Sequence, residues 1–228
     1  MSINVLTVPA LREISHELVP SFVEASNHDV VTVFSGTDDI LKRMKAGENG
    51  VDLIILDAGS IEELTRHGKV VATSRVDFAI SRIGVAVRAG APRPDVSSVE
   101  ALTRALLAAG SIAYSRSLSG VHVAGLLQKW GIADALQPKI RQPAPGEFVG
   151  EMVARGEAEI GFQQISELVH IAGVDFIGPI PQDIQLVTVV SGAVHAGAKQ
   201  PGAAKAWVEF LASPAAASVL QKNGLDPK

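Results

Sequence analysis

The sequence predicts an α/β fold, and three observations frame that prediction. Strand-like and helix-like segments alternate along the whole chain, as they do where helices cover mostly parallel sheets. The stretch from Val51 to Leu56 is apolar apart from Asp52, as expected of a strand buried on both faces. The 228 residues, 47% hydrophobic and 19% charged, suit one large domain or two lobes of roughly 100 residues each.

The elements follow in order. Ile3 to Val8 reads as a strand, and Leu11, Ile14, Leu18 and Phe22 then recur at helical spacing, with Pro20 expected to kink or divide that helix. Val30 to Phe34 is the second strand; Ser35-Gly36-Thr37 turns into a helix from Asp38 to Ala46, stopped by Gly47. Ser60 with Glu63, and Ser97 with Glu100, read as capping boxes that open helices. Between them Asp77 to Val87 reads as one long strand interrupted by Ser81-Arg82. Ser111 to Tyr114 is a strand, followed by a helix that presents Val123, Leu126, Leu127 and Trp130 and ends at Gly131. Lys139 to Arg141 is a short strand, Pro143 to Gly146 a loop, and a helix runs on to Arg155. Glu159 to Gln163 and Gln185 to Val190 are strands, separated by a Pro/Gly-rich segment at Gly178 to Pro181. Helices on either side of Ser213-Pro214 close the chain.

Composition excludes several classes of function. With no cysteine, disulfides, thiolate nucleophiles and cysteine-ligated metals are ruled out. A net charge of −4 argues against nucleic acid as a partner. No apolar run reaches the roughly 18 residues of a membrane span, so membrane insertion is not expected. The six histidines are scattered without His-x-x-x-His spacing, so no metal site is expected. No dinucleotide fingerprint, phosphate loop or G-x-S-x-G elbow is present, and no cofactor is expected. The chain opens on a strand with no signal-peptide pattern before it. A native start therefore implies a cytoplasmic protein, and a processed one a periplasmic mature form.

The opening strand–loop–helix, Ser35-Gly36-Thr37, Val51-Asp52-Leu53, Ser119-Gly120, the segment Gly156-Glu157-Ala158-Glu159-Ile160-Gly161 and the closing Ala212-Ser213-Pro214 occur in a telling order. In that order the chain resembles a type II periplasmic binding protein, and more narrowly the molybdate-binding group and its relatives, some of which are isomerases of unsaturated tricarboxylates such as aconitate. The resemblance implies two lobes with a ligand cleft between them, each a mixed, mostly parallel sheet flanked by helices. It places residues 1–84 and 188–228 in lobe I and 85–187 in lobe II. Three departures move the expected ligand away from molybdate. The first loop is Pro9-Ala10-Leu11 in place of hydroxyl residues, Phe162-Gln163-Gln164 stands where a tyrosine is usual, and Asp57 stands where a small residue is common.

Three strand-to-helix loops offer helix amino termini to an anion: the first around Pro9, Ala10 and Leu11, the second at Gly36 and Thr37, and the third from Ser115 to Gly120. Serine before a helix is also an ordinary N-cap, so each loop alone is ambiguous. The third is the richest, with Ser115, Ser117 and Ser119 around Arg116, whose guanidinium can hold a carboxylate through two parallel hydrogen bonds. Gln163 and Gln164 close a buried strand at the end where ligands collect, and either contact a ligand or satisfy the lobe's own loops, for example with Ser166 and Glu167. Arg82 near the hinge reads as a structural ion pair, and Asp38 and Asp39 as favourable first-turn charges. Two functions result. One is a solute-binding protein that closes on a small anion, an organic polycarboxylate before molybdate, with a membrane transporter of the ABC type as partner if exported. The other is a cofactor-independent isomerase on the same scaffold, with His122, Asp57 or Glu147 as its base.

Overall fold

The computed structural model describes residues 2–144 and 146–228. Pro145, within the loop expected over Pro143 to Gly146, lies outside the described residues. The chain divides into two units, Met1–Ser81 with Thr188–Lys228, and Arg82–Val187.

Unit 1 begins with β1 (Ser2–Thr7), α1 (Arg12–Ser26), β2 (Asp29–Phe34), α2 (Thr37–Lys45), β3 (Leu53–Asp57), α3 (Ala58–Arg66) and β4 (Val76–Ser81). Unit 2 follows with β5 (Ile83–Arg88), α4 (Val99–Ala108), β6 (Ile112–Tyr114), α5 (Leu118–Lys129), α6 (Ala133–Leu136), β7 (Ile140–Arg141), α7 (Val149–Ala154), β8 (Ile160–Gln164), α8 (Ile165–Leu168) and β9 (Val174–Pro179). The chain then returns to unit 1 with β10 (Thr188–Val194), α9 (Pro201–Leu211), α10 (Pro214–Lys222) and β11 (Leu225–Pro227).

The sheet of unit 1 has the order β11-β4-β10-β3-β1-β2. β1 lies parallel to β2 and β3, while the returning β10 runs antiparallel to β3 and β4. Side chains from α1, α9 and α10 pack one face around Phe22, Trp207 and Phe210, whose ring centroids lie 4.8 to 5.8 Å apart. Pro20 does not divide α1, because Leu18 and Phe22 on either side of it are both locked into this core. A separate cluster of Ile40, Met44, Ile54, Leu56, Ile61 and Leu64 fills the other face under α2 and α3. Asp52, 2% exposed, ties the sheet to α9 by accepting backbone N–H bonds from Asn4 (2.9 Å), Lys199 (2.7 Å) and Gln200 (3.0 Å).

The sheet of unit 2 has the order β7-β6-β8-β5-β9, with β6 parallel to β7 and β8, and β5 antiparallel to β8 and β9. The segment expected as one strand from Asp77 to Val87 is therefore two strands in two sheets. Ile83 and Gly84 pair with Gln164 and Gln163, which places residues 82–84 in the second unit. Gln185, expected to open a strand, instead uses its side-chain amide as a strand would. Its Oε1 accepts from Ile83 N–H (2.8 Å) and its Nε2 donates to Ile83 O (3.0 Å). The capping positions also move. Asp57 caps α3 in place of Ser60, and Ser98 caps α4 one residue after Ser97, accepting from Ala101 N–H at 3.1 Å.

Candidate ligand-binding site

In unit 1, β2, β1 and β3 are adjacent parallel strands, so the three connections that leave them emerge side by side. The first is a 3-10 turn over Pro9–Leu11 leading into α1. Pro9 has no N–H, Leu11 donates to Val8 O (3.2 Å), Arg12 donates to Pro9 O, and the Leu11 side chain is buried in the core. These bonds leave Ala10 as the residue of this turn with an amide to offer. The second connection is capped by Gly36, at φ −67°, and a Cβ there would meet nothing within 4 Å. Neither backbone strain nor packing demands glycine there, and glycine is an ordinary residue at a helix N-cap. Thr37 opens α2 beside it, and Ser35 Oγ donates to Asp39 (2.7 Å), which holds that carboxyl below its usual range. The third connection belongs to Asp57, whose two oxygens accept from Ser60 N–H (2.9 Å) and Ser60 Oγ (2.6 Å).

In unit 2 the register is decisive. β6 and β8 pair Tyr114 with Phe162, so Ser115 and Gln163, the next residues, stand side by side where the two strands end. Ser115 Oγ shares hydrogen bonds with Ser117 Oγ (2.8 Å) and Ser119 Oγ (3.0 Å), which gathers three hydroxyls at the start of α5. The loop folds back so tightly that a Cβ on Gly120 would lie 1.6 Å from Ser115 O. Gly120 is thus required by the loop's own packing. Arg116 is exposed and makes no ion pair among the described residues. Leu118 and Val121 on the same helix start are 51% and 66% exposed. Gln163 is 4% exposed, and its Oε1 accepts Val149 N–H at 2.8 Å, capping α7. Gln164 closes β8 and opens α8, and Arg82 O accepts from Ile165 N–H (2.9 Å) at the same end of the sheet.

The three bases expected from the sequence are each engaged. Asp57 serves Ser60, as above. Glu147 accepts Ala144 N–H (2.8 Å) and pairs with Arg155, and these contacts lower its pKa. His122 has Nε2 2.7 Å from Ile184 O; a carbonyl only accepts, so Nε2 carries the proton and the ring ties α5 to the segment before β10. The structure adds a carboxyl that the sequence reading treated only as a partner for the glutamines. Glu167 keeps part of its surface exposed, yet burial among surrounding atoms pushes it up to about 7, against the opposing pull of the Gln163 amide and the Gln164 backbone. Next to it, Ser166 Oγ is buried with no hydrogen-bond partner among the described residues. A glutamate three residues past a helix cap was visible in the sequence as Gln164-Ile165-Ser166-Glu167; its burial was not. Among the described residues no group of three or more His, Asp or Glu side chains is placed to hold a metal, and no helix is long and apolar enough to cross a membrane.

The sequence profile of the bacterial extracellular solute-binding proteins matches residues 3–226. An aconitate isomerase from Pseudomonas sp is 35% identical, over 99% of this chain and 88% of that one. The molybdate-binding protein ModA of Escherichia coli is 25% identical, over 99% and 89%. Among solved structures, the periplasmic molybdate-binding protein of Azotobacter vinelandii superposes with a TM-score of 0.80 at 19% identity, covering 98% of each chain. The two mixed sheets with flanking helices are the type II periplasmic-binding-protein fold.

Proposed function

The chain belongs to the bacterial extracellular solute-binding protein family, and we propose that it binds a small organic anion, a di- or tricarboxylate in preference to molybdate. The observation that carries this reading is the start of α5. There the exposed Arg116 belongs to the loop whose three serine hydroxyls gather, and Leu118 and Val121 are exposed on the helix that follows. A guanidinium matches a planar carboxylate through two parallel hydrogen bonds. Exposed leucine and valine have no use for a small inorganic oxyanion, but they suit a ligand with a carbon skeleton. The first loop supports the same choice, since Pro9-Ala10-Leu11 brings no hydroxyl and few amides. Gly36, Thr37 and Gln164 complete the proposed contacts. Gln163 acts from behind by holding the start of α7. The family points to work outside the cytoplasm, with the membrane component of an ABC-type transporter as partner.

A second reading is an isomerase of an unsaturated tricarboxylate. It is favoured by the 35% identity to an aconitate isomerase over nearly the whole chain. Both readings need the same anion clamp, and they differ in whether a base acts on the bound ligand.

A thermal-shift screen against molybdate, tungstate, sulfate, phosphate and a set of di- and tricarboxylates tests the proposal. A ligand at 100 times its dissociation constant stabilises by about 2.7 kcal/mol, a shift of a few degrees. Stabilisation by polycarboxylates that disappears in Arg116→Ala is the expected result. Stabilisation by molybdate alone, unchanged in Arg116→Ala, would overturn it.

A further inference from the structure

Proton transfer on a tricarboxylate needs a carboxylate or imidazole that is not already committed. Asp57, Glu147 and His122 are committed, to Ser60, to Arg155 and to Ile184 O. Glu167 accepts from the Gln163 amide and from the Gln164 backbone at the start of α8, but it makes no ion pair among the described residues and is placed differently. It lies at the carboxyl end of β8, in α8, beside Gln163 and one strand from the Ser115–Ser119 hydroxyls. Among the described residues no cation is seen to lower its pKa. The elements packed against α8 are β5, β8, β9 and α7, and their charged groups have other partners or other positions. Glu151 caps Phe148 N–H (3.0 Å), Asp175 pairs with Arg93 (3.0 Å), Arg88 sits at the far end of β5, and none of these influences the Glu167 carboxyl. Ser166, 5% exposed with an unpartnered hydroxyl, adds a polar group at the same strand end with hydrogen-bonding capacity unused by the protein.

We propose that Glu167 is the proton-transfer group of this site, moving one proton between the two arms of an unsaturated tricarboxylate. This rests on the isomerase reading. The Glu167 carboxylate takes a proton from the ligand's CH2 next to the double bond. The electron pair left behind spreads over the three-carbon allylic unit and its carboxylates, where Arg116 and the α5 hydroxyls offset the charge. The same carboxyl, now protonated, returns the proton to the far allylic carbon as the double bond moves into the other arm. Glu167 ends as it began, and no oxidant, reductant or cofactor is consumed. Gln163, fixed at its other end by Val149 N–H, orients the carboxyl. A carboxyl poised about 7 exchanges protons efficiently near neutral pH.

The test follows exchange of trans-aconitate protons by NMR in deuterated buffer between pH 5.5 and 8.5, for the unaltered protein, Glu167→Gln and Glu167→Asp. The unaltered protein is expected to exchange with a rate that rises through a single ionisation about 7. Glu167→Gln is expected to lose about 100-fold or more while trans-aconitate still raises its melting temperature, and Glu167→Asp to recover part of the rate. Carboxyl 13C spectra give a readout independent of turnover: one glutamate resonance should titrate about 7 and be missing in Glu167→Gln. Exchange by Glu167→Gln at the native rate would overturn the proposal and leave the isomerase reading standing. An unaltered protein that trans-aconitate stabilises but that neither isomerises it nor exchanges its protons would overturn both, leaving a binding protein.

Discussion

Adding one methyl group at Gly120 should dismantle the third loop. The Cβ of Gly120→Ala would stand 1.6 Å from Ser115 O, 2.4 Å from Ser115 C and 3.0 Å from Ser115 N. Every one of these is backbone, so no rotamer change relieves the overlap, and the loop must retreat from the helix by about 1.4 Å before even the tightest tolerated contact is reached. Ser115 moves with its carbonyl, and its hydroxyl bonds to Ser117 and Ser119 stretch beyond hydrogen-bond range. Overpacking of this kind costs about 1–3 kcal/mol, and each lost neutral hydrogen bond about 1 kcal/mol more. The expected loss is about 3–5 kcal/mol, seen as a melting temperature lower by about 6–20 °C. The ligand-induced shift should vanish as well, because Arg116 moves with the loop. Gly36→Ala is the control. Its φ of −67° and empty surroundings predict stability within about 0.5 kcal/mol of native, with a weakened ligand shift if the ligand approaches there. A Gly120→Ala protein with native melting temperature and native ligand response would refute the reasoning.

Three further outcomes follow from buried carboxyls. Asp52→Ala removes the acceptor of three backbone N–H groups at a site 2% exposed and should cost about 3–5 kcal/mol in urea unfolding, with Asp52→Asn losing less. At Asp77 burial works to raise the pKa, but Arg75 (2.7 Å), Lys228 (2.8 Å) and Ser191 (2.6 Å) together overcome it and hold the folded carboxyl well below its ordinary value. Its stabilisation is therefore complete above the unfolded pKa of about 3.9 and lost as pH falls below that; unfolding curves at pH 7 and pH 3 should show the gap between native protein and Asp77→Asn shrinking at the lower pH. Glu167 has the opposite sign. Its folded carboxyl is raised to about 7, so ionisation costs stability between the unfolded value and that pH. Glu167→Gln should gain on the native protein by about 2–3 kcal/mol between pH 4 and pH 8, and a gap that does not change with pH would contradict the assignment.

Much of the fold was legible because its signals are local. Val51 to Leu56 gave β3, the spacing of Ile14, Leu18 and Phe22 gave α1, and Pro201 and Pro214 sit in the first turns of α9 and α10. What was not legible depends on partners far along the chain. Val76 to Arg88 looks like one strand because both of its halves are apolar; only the pairing of Thr188 with Ser81 and of Gln164 with Ile83 puts the halves in different sheets. β9 carries Gly178 and Pro179 and reads as a connection, yet it pairs with β5 at the sheet edge, where proline is tolerated. β11 is three residues long and exists only through its pairing with β4. The site divides the same way. The serines around Arg116 were apparent, whereas their mutual hydrogen bonds and the clasp at Gly120 depend on how the loop folds back.

Commitment of polar groups separates the roles at the strand ends better than residue type does. Glycine occurs in both helix-start loops, but Gly120 is spent on packing and Gly36 is not. Both glutamines end β8, but Gln163 is consumed between Val149 N–H and Glu167. Carboxylates are plentiful, but Asp57 and Glu147 already hold protein donors or a cation. The groups left without a charged partner among the described residues are a guanidinium, a hydroxyl at Ser166, a buried carboxyl at Glu167 held by Gln163 and the Gln164 backbone, and exposed hydrocarbon at Leu118 and Val121. An inorganic oxyanion would engage only the guanidinium and hydroxyl of that set. On the proposed reading a polycarboxylate with an acidic C–H would engage all of it, presenting charge to Arg116, carbon to Leu118 and Val121, and a transferable proton to Glu167.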